Sequence, residues 1–419
     1  MTKLEELIKE LCPNGVARKK IKDEYTRLRG TPITAGKMKE IENSNGNIKI
    51  FAGGKTVINA FEKDIPNANI TRVPAVLVQS RGVIDAVYYD KPFTFKNEMW
   101  AYTTENVVSV KYLYYVLKNN MDYFRSAASG MGSLPQISLG VTEDFLIPVP
   151  PIPVQEEIVR ILDSFTELTA ELTAELTARK KQYEYYRDDL LKCNATIPMI
   201  KLKDIATDIY RGAGIKREEV TESGIPCVRY GEIYTTYNTW FDSCKSHTDL
   251  KYVPNPKYFE HGDILFAITG ESVDDIAKSV AYVGHEKCLA GGDIVVMKHK
   301  QNPRYLAHVL ATQAAREQKS KGKVKSKVVH SNVPSIEQIE IPLPSLDVQE
   351  RYANVLDNFE SLCNDLKIGL PAEIEARRKQ YEYYRDLLLS FASDSSQFVN
   401  VERERERERE RESRGRAER

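Results

Sequence analysis

The chain of 419 residues is poor in several features that usually announce a function. Its six cysteines, at 12, 193, 227, 244, 288 and 363, lie far apart with no Cys-x-x-Cys pair. That spacing fits reduced thiols in the cytoplasm and argues against a metal site. Lys plus Arg equals Asp plus Glu at 60 each, so net charge gives nucleic-acid binding no support and any such case rests on local charge. No apolar run approaches the ~18 residues that a membrane span requires, and the opening MTKLEELIKEL is an amphipathic helix rather than a signal peptide. No membrane is expected among its partners, and the expected compartment is the cytoplasm.

Catalytic motifs are equally scarce. AGGKT at 52–56 resembles the end of a phosphate loop, but Lys49 stands where the first glycine would be required. NPKY (255–258) and NPRY (302–305) echo the Asn-Pro-Pro-Tyr of amino-methyltransferases, yet Lys257 and Arg304 replace the second proline and no glycine-rich donor loop precedes either. Turn or helix-start chemistry accounts for both. Cys244 and His247 lack a second ligand pair for zinc, and Glu271, Asp274 and Asp275 read as a surface loop. No triad or paired carboxylate stands out. The chain is expected to be non-catalytic, with no metal and no cofactor of its own.

What the sequence does contain is itself, twice. IPVPPIPVQEEIVRILDSF (147–165) matches IPLPSLDVQERYANVLDNF (341–359) at an offset of 194, and QYEYYRDDLL (182–191) matches QYEYYRDLLL (380–389) at 198. The four-residue difference is one Thr-Ala-Glu-Leu unit. KKIKDEYTRLRG (19–30) loosely matches IKLKDIATDIYRG (200–212), and EELIKELCPNG (5–15) looks like the end of a spacer helix, so the two chain ends supply what the middle spacer has complete. The variable regions mix strand-like runs (73–89, 262–270) with helix-like ones (110–127, 303–318). The expected fold is α+β: two domains in a pseudo-two-fold tandem repeat, separated and joined by long antiparallel coiled-coil helices. The expected division is 1–150, 151–195, 196–345, 346–395 and a tail at 396–419.

Ile158, Ile161, Phe165, Leu168 and Leu172 step by 3 and 4, the seam of a coiled coil. Leu176 inserts a further step of four, a stutter, before 179, 183, 186 and 190 resume the alternation. In the second copy the expected seam is Val355, Phe359, Leu362, Leu366, Leu370, Ile374, Arg377, Tyr381, Tyr384 and Leu388, broken into two helices by Gly369 and Pro371. The first copy should be one helix over about 154–192.

Together the duplicated plan, the proline-rich approach to each spacer, the TAEL units and ARRKQYEYYRDLLLSF after GLP resemble the specificity (S) subunit of type I restriction-modification systems, over residues 1–395. The resemblance implies two target-recognition domains, each reading half of a split asymmetric site in double-stranded DNA. It also implies spacers that fix the unread gap and dock two adenine methyltransferase (M) subunits using S-adenosylmethionine, with restriction and translocase (R) subunits that use ATP and Mg. A coiled-coil scaffold with two protein-binding heads is the alternative from another class.

DNA-contacting candidates follow from charge near turns. In the first domain these are Arg29, Lys37, Lys39, Arg81 and Lys96, with Arg125 and Ser133 in a glycine- and serine-rich stretch whose backbone amides could approach phosphate. In the second they are Arg211, Lys216, Arg217, Arg229 and Tyr230. Lys319, Lys321, Lys323, Lys325 and Lys327 alternate, so an extended strand would project all five from one face. The Glu-Arg tail from 401 is of low complexity and is expected to be disordered or a lone charged helix.

Overall fold

The computed structural model describes residues 3–129, 134–192, 196–321, 328–364 and 369–391. It divides into two compact units, Met1–Ala170 with Ala376–Arg419, and Glu171–Glu375. Among the described residues no helix is long and apolar enough to cross a membrane.

The head of the first unit is built on the run AVLVQ, Ala75–Gln79, which is buried at every position. A strand apolar on both faces has to lie centrally in a sheet that is covered on both sides. Its sheet runs Thr26–Arg29, Trp100–Thr103, Ala75–Gln79, Asp85–Tyr89, all antiparallel. A second sheet holds Val57–Ala60, Ile48–Phe51 and Phe93–Phe95, with the last two parallel. The helix Val107–Asn119 packs on Ala75–Gln79 and Asp85–Tyr89. Asn106 starts that helix, its side chain accepting from the amides of Val108 and Ser109.

The head of the second unit repeats this frame and extends it. Its first sheet runs Ala206–Arg211, Ile294–His299, Ile264–Ala267, Ser279–Tyr282, then Trp240–Phe241. In the second sheet Ile225–Val228 lies parallel to Cys288–Ala290, as Ile48–Phe51 does to Phe93–Phe95. Asn302 starts the helix Pro303–Leu310, accepting from the amide of Tyr305 at 2.9 Å. NPRY is therefore helix-start chemistry. AGGKT is a hairpin tip between Ile48–Phe51 and Val57–Ala60, with Gly54 and Lys55 both left-handed, and no helix follows it.

The repeat extends to single hydrogen bonds at the base of each head. Arg18–Lys20 pairs with Leu146–Pro148, and Met199–Lys201 with Glu340–Pro342, in matching register. Tyr112 donates to the Pro148 carbonyl at 3.1 Å and Tyr305 to that of Pro342 at 2.7 Å. The amide of Gln155 donates to the Pro150 carbonyl and that of Gln349 to the Pro344 carbonyl.

The first spacer is one helix, Ile152–Leu190, of 39 residues. The second is two, Leu346–Asn364 and Leu370–Ser390, with Pro371 in the first turn of the latter. Both chain ends close the core of the first unit: Leu4 and Cys12 join Ile158, Ile161, Phe165, Tyr384, Leu387 and Leu388. In the second unit the long helix and Leu346–Asn364 run antiparallel. Tyr186 stacks on Phe359 with ring centres 6.4 Å apart, and a turn earlier Tyr183 lies near Glu360, then Arg179 and Lys180 near Cys363.

The expected seam holds at Ile158, Ile161, Phe165, Tyr384 and Leu388, which are buried. It fails on Leu346–Asn364, where Val355, Phe359 and Leu362 are exposed and Gln349, Ala353, Leu356, Glu360 and Cys363 form the buried stripe. The reason is hydrogen bonding to the head: Gln349 and Glu360 are polar, yet the head supplies their partners.

Candidate nucleic-acid interface

Each head ends one strand on Arg-Gly at the same place in the sheet. Arg29 closes Thr26–Arg29 and Arg211 closes Ala206–Arg211. The glycines are required by packing, because a Cβ on Gly30 would lie 2.6 Å from the Phe95 carbonyl oxygen and one on Gly212 would lie 2.2 Å from that of Gly291. Such contacts are closer than non-bonded atoms tolerate. The arginines are thereby carried to the head surface.

Their surroundings differ. Arg29 is exposed and, among the described residues, is in no ion pair. It lines a cavity of about 630 Å³ with Arg27, Asn69, Asn97, Trp100 and Gln136. Arg and Asn or Gln are the side chains whose donor and acceptor geometry matches guanine and adenine edges. Asn69 is partly committed, donating to the Gly30 carbonyl at 2.7 Å. Arg211 instead pairs with Asp293 at 2.5 Å and donates to the Gly292 carbonyl. Asn69, Asn97 and Gln136 are uncharged and stand in separate loops, so no signal in the sequence marks them as a cluster.

The other candidates divide into tethered and untethered groups. Lys37 pairs with Glu40, Lys96 with Glu98 at 2.8 Å, Arg125 with Asp122, and Lys216 with Glu219. Burial works to raise the Glu98 carboxyl, but the hydrogen bond and charge of Lys96, backed by Arg81, hold it below its ordinary value. Lys39, Arg81, Arg217 and Lys321 are exposed, with no ion pair among the described residues. Arg229 is half-buried near Glu232, and its Nε has no hydrogen-bond partner. Tyr230 beside it is exposed. Ser133, Lys323, Lys325 and Lys327 lie outside the described residues.

Lys319 does not lie on an extended strand. That residue lies on the helix Gln313–Ser320 and is buried, its ammonium donating to the Leu310 carbonyl at 2.8 Å and to Ser279 Oγ at 3.1 Å. Helical geometry turns consecutive odd positions around the axis instead of lining them up.

Where the helices grip the heads, a carboxylate recurs. Asp163 receives Lys111 at 2.7 Å and the Tyr115 hydroxyl. Its counterpart 194 residues on, Asp357, receives Arg304 at 2.6 Å, His308 at 2.7 Å and the Trp240 indole at 2.8 Å. Burial alone would raise the Asp357 carboxyl, but its bonds from His308 and Trp240 and the charge of Arg304 lower it. His308, Asp357 and Glu360 bring ligand atoms within 4.8 Å of one another, a metal-like grouping. Arg304 already supplies the cation there, Tyr183 bonds the second nitrogen of His308, and Glu360 accepts from Thr239. Cys244 hydrogen-bonds with Cys288.

Known proteins share this plan. A family model described as the type I restriction modification DNA specificity domain matches residues 28–179 and 196–376. The EcoR124I/EcoR124II specificity subunit of Escherichia coli is 31% identical over 358 residues, covering 82% of this chain and 87% of that one. A putative type I restriction enzyme specificity subunit of Haemophilus influenzae is 31% identical over 313 residues, covering 70% and 77%. A solved chain described under "structural basis underlying complex assembly and conformational transition of the type I R-M system" aligns over 90% of this chain and 98% of that one. Its TM-score is 0.57 at 13% identity, a likeness of fold. The matched ranges take in both heads and most of the helix that links them, so the repeated frame, the Arg-Gly strand ends and the shared sequence meet in one assignment: the chain belongs to the type I restriction-modification specificity subunits, the recognition part of a multisubunit system rather than its catalytic part.

Proposed function

We propose that each head reads one half of a two-part site in double-stranded DNA and that the long helix sets the number of base pairs left unread between them. The helices dock two methyltransferase subunits, which bring S-adenosylmethionine. Restriction subunits joined through them use ATP and Mg, and the assembly works in the cytoplasm. The observation that carries this reading is the Arg-Gly strand end, placed identically on both heads and surrounded differently. Arg29 sits among amide side chains while Arg211 is tied to Asp293, so one frame presents two chemistries. Two unlike surfaces on one frame suit an asymmetric site.

The test is methylome sequencing of cells that express the chain with its methyltransferase. Wild type should give a two-part motif. Arg29→Ala should relax one half and Arg211→Ala the other, each leaving the gap unchanged. If either variant alters both halves together, or neither alters any position, the assignment of one head to one half fails. One more Thr-Ala-Glu-Leu after Leu176 lengthens the helix by ~6 Å and should widen the gap with both halves kept.

A further inference from the structure

The second unit contains a cavity of about 480 Å³ that DNA reading does not require, walled by the head on one side and by spacer helices on the other. Its lining brings together Lys278, Arg316 and Lys319. Lys319 is buried, and the two acceptors of its ammonium are the neutral Leu310 carbonyl and the Ser279 hydroxyl. Lys278 is half-buried and donates to the carbonyls of Tyr234 and Tyr237 at 3.5 and 3.3 Å. Arg316 is half-buried and, among the described residues, its guanidinium has no hydrogen-bond or ion-pair partner. Of the acidic groups at the cavity, Asp274, Asp275 and Glu184 are exposed, and Glu360 is occupied by Thr239.

Three cations gathered in one enclosed place repel one another and lose hydration, a cost that a bound anion relieves. Both lysines are depressed, chiefly by burial. Burial pushes Lys319 down to about 7, with the Arg316 charge adding to the shift. Burial also lowers Lys278, where Arg316 works against the nearby Asp275 and Glu360. Ala277, buried and next to Lys278 in the chain, has a left-handed backbone with φ 57°. That conformation is costly for a residue with a side chain and occurs where neighbouring structure imposes a geometry.

The first head argues that this arrangement is not a necessity of the fold. By strand register the position of Lys278 corresponds to Asp85, which pairs with Lys118 at 2.7 Å and leaves no excess charge. The places of Phe266, Ser279 and Leu310 around Lys319 correspond to Val78, Ala86 and Leu117. There the space is closed by Met121 and Phe124, without a cation. One repeat thus fills the site with apolar side chains and a neutral ion pair, while the other keeps it open and positive.

We propose that this cavity of the second unit binds a phosphate group, held by Arg316 with Lys278 and Lys319 behind it. Arginine offers a planar fork matched to phosphate oxygens, and each lysine retains a third proton to donate. The volume suits a molecule of nucleotide size. A free phosphorylated metabolite and a backbone phosphate of DNA share this chemistry, and the two are separable by experiment.

The test is isothermal titration of the full-length chain at constant ionic strength with inorganic phosphate, adenosine 5′-monophosphate and duplex DNA. Saturable phosphate binding is expected, weakened about tenfold or more in Arg316→Gln. Because the Arg316 guanidinium has no partner among the described residues, that variant should melt like wild type in phosphate-free buffer, and phosphate should raise the melting temperature of wild type alone. Tighter binding of adenosine monophosphate than of phosphate identifies a nucleotide-like ligand. Displacement of phosphate by duplex DNA from wild type identifies the backbone instead. Phosphate binding that is non-saturable, or equal in wild type and Arg316→Gln, overturns the proposal. Since half-site reading is assigned to the other face residues, Arg316→Gln should keep the methylated motif whichever way the titration falls.

Discussion

The two heads are the same frame held to their helices by unlike sets of contacts. The first grips Asp163 with an ammonium and a phenol, and the carboxylate side chain keeps 25% of its exposure. The second grips Asp357 with a guanidinium, an imidazole and an indole, and its carboxylate keeps 13%. The same contrast runs through the apolar stripes in the opposite sense. Phe165 is 5% exposed under the last helix, whereas its counterpart Phe359 is 44% exposed. One head relies on apolar closure and the other on a buried polar network. The same topology therefore tolerates two different balances of forces, provided that the acceptor at 163 and 357 is kept.

The sharpest way to break this comparison is to remove the carboxylates. Asp357→Ala should cost roughly 3–4 kcal/mol, because it leaves the His308 and Trp240 donors without their acceptor and takes one of two carboxylates from Arg304, which keeps Glu350. Asp163→Ala should cost about 1–2 kcal/mol. Denaturant unfolding of the two variants gives the answer, and equal losses would dissolve the distinction between the heads.

Next come the glycines. Gly30→Ala and Gly212→Ala should each cost roughly 3 kcal/mol, since a methyl would meet backbone and not a yielding side chain. Here the heads are expected to agree. A mild effect in one head alone would show that the Arg-Gly strand end is not a shared requirement. A smaller difference separates Phe165→Ala, at about 3 kcal/mol, from Phe359→Ala, at under about 1 kcal/mol.

The smallest effect is one of pH. All six histidines lie between 247 and 330, within the second unit. Burial drives His299 down to about 4 from an ordinary 6.5, a backbone hydrogen bond with Gln301 opposing only in part. A depressed folded value means that the unfolded chain takes the proton first. Stability from this group is complete above 6.5 and is lost as pH falls towards 4. Protection of the second unit, taken relative to the intrinsic exchange rate at each pH, should fall as pH is lowered across that window, and His299→Gln should flatten the histidine-dependent part.

Much of the helical plan was legible because it was written twice. Residues 182–188 repeat at 380–386, and a Gly-Leu-Pro after 368 marks the start of a helix wherever it stands. The buried stripe of Leu346–Asn364 was not legible, because Glu360 and Gln349 are inside only by virtue of Thr239, Asn302 and Gln301 in the head. Periodicity of apolar residues assigns Val355 and Phe359 to the seam and has no means of knowing that the head offers partners to the neighbouring polar positions. Lys319 misled for a related reason. Alternation in KSKGKVKSK has the period of a strand, but the first lysine belongs to the preceding helix and is drawn inward by a helix-end carbonyl. The Arg-Gly strand ends are partly legible: both arginines stand out by charge, while the amides around Arg29 come from loops distant in sequence.

The closure of the first unit by both chain ends has a consequence for how the protein is made. The second unit is contiguous, so once residue 375 has left the ribosome all its parts are present. The first unit emerges earlier, yet its core lacks Tyr384, Leu387 and Leu388 until the last helix has been synthesised. Through that interval Phe165 lacks the rings of Tyr381 and Tyr384 that pack on it, a period in which apolar surface is open to aggregation or to chaperones. The head that begins first is completed last, and a premature stop before residue 376 would spare the second unit while leaving the first without its seal.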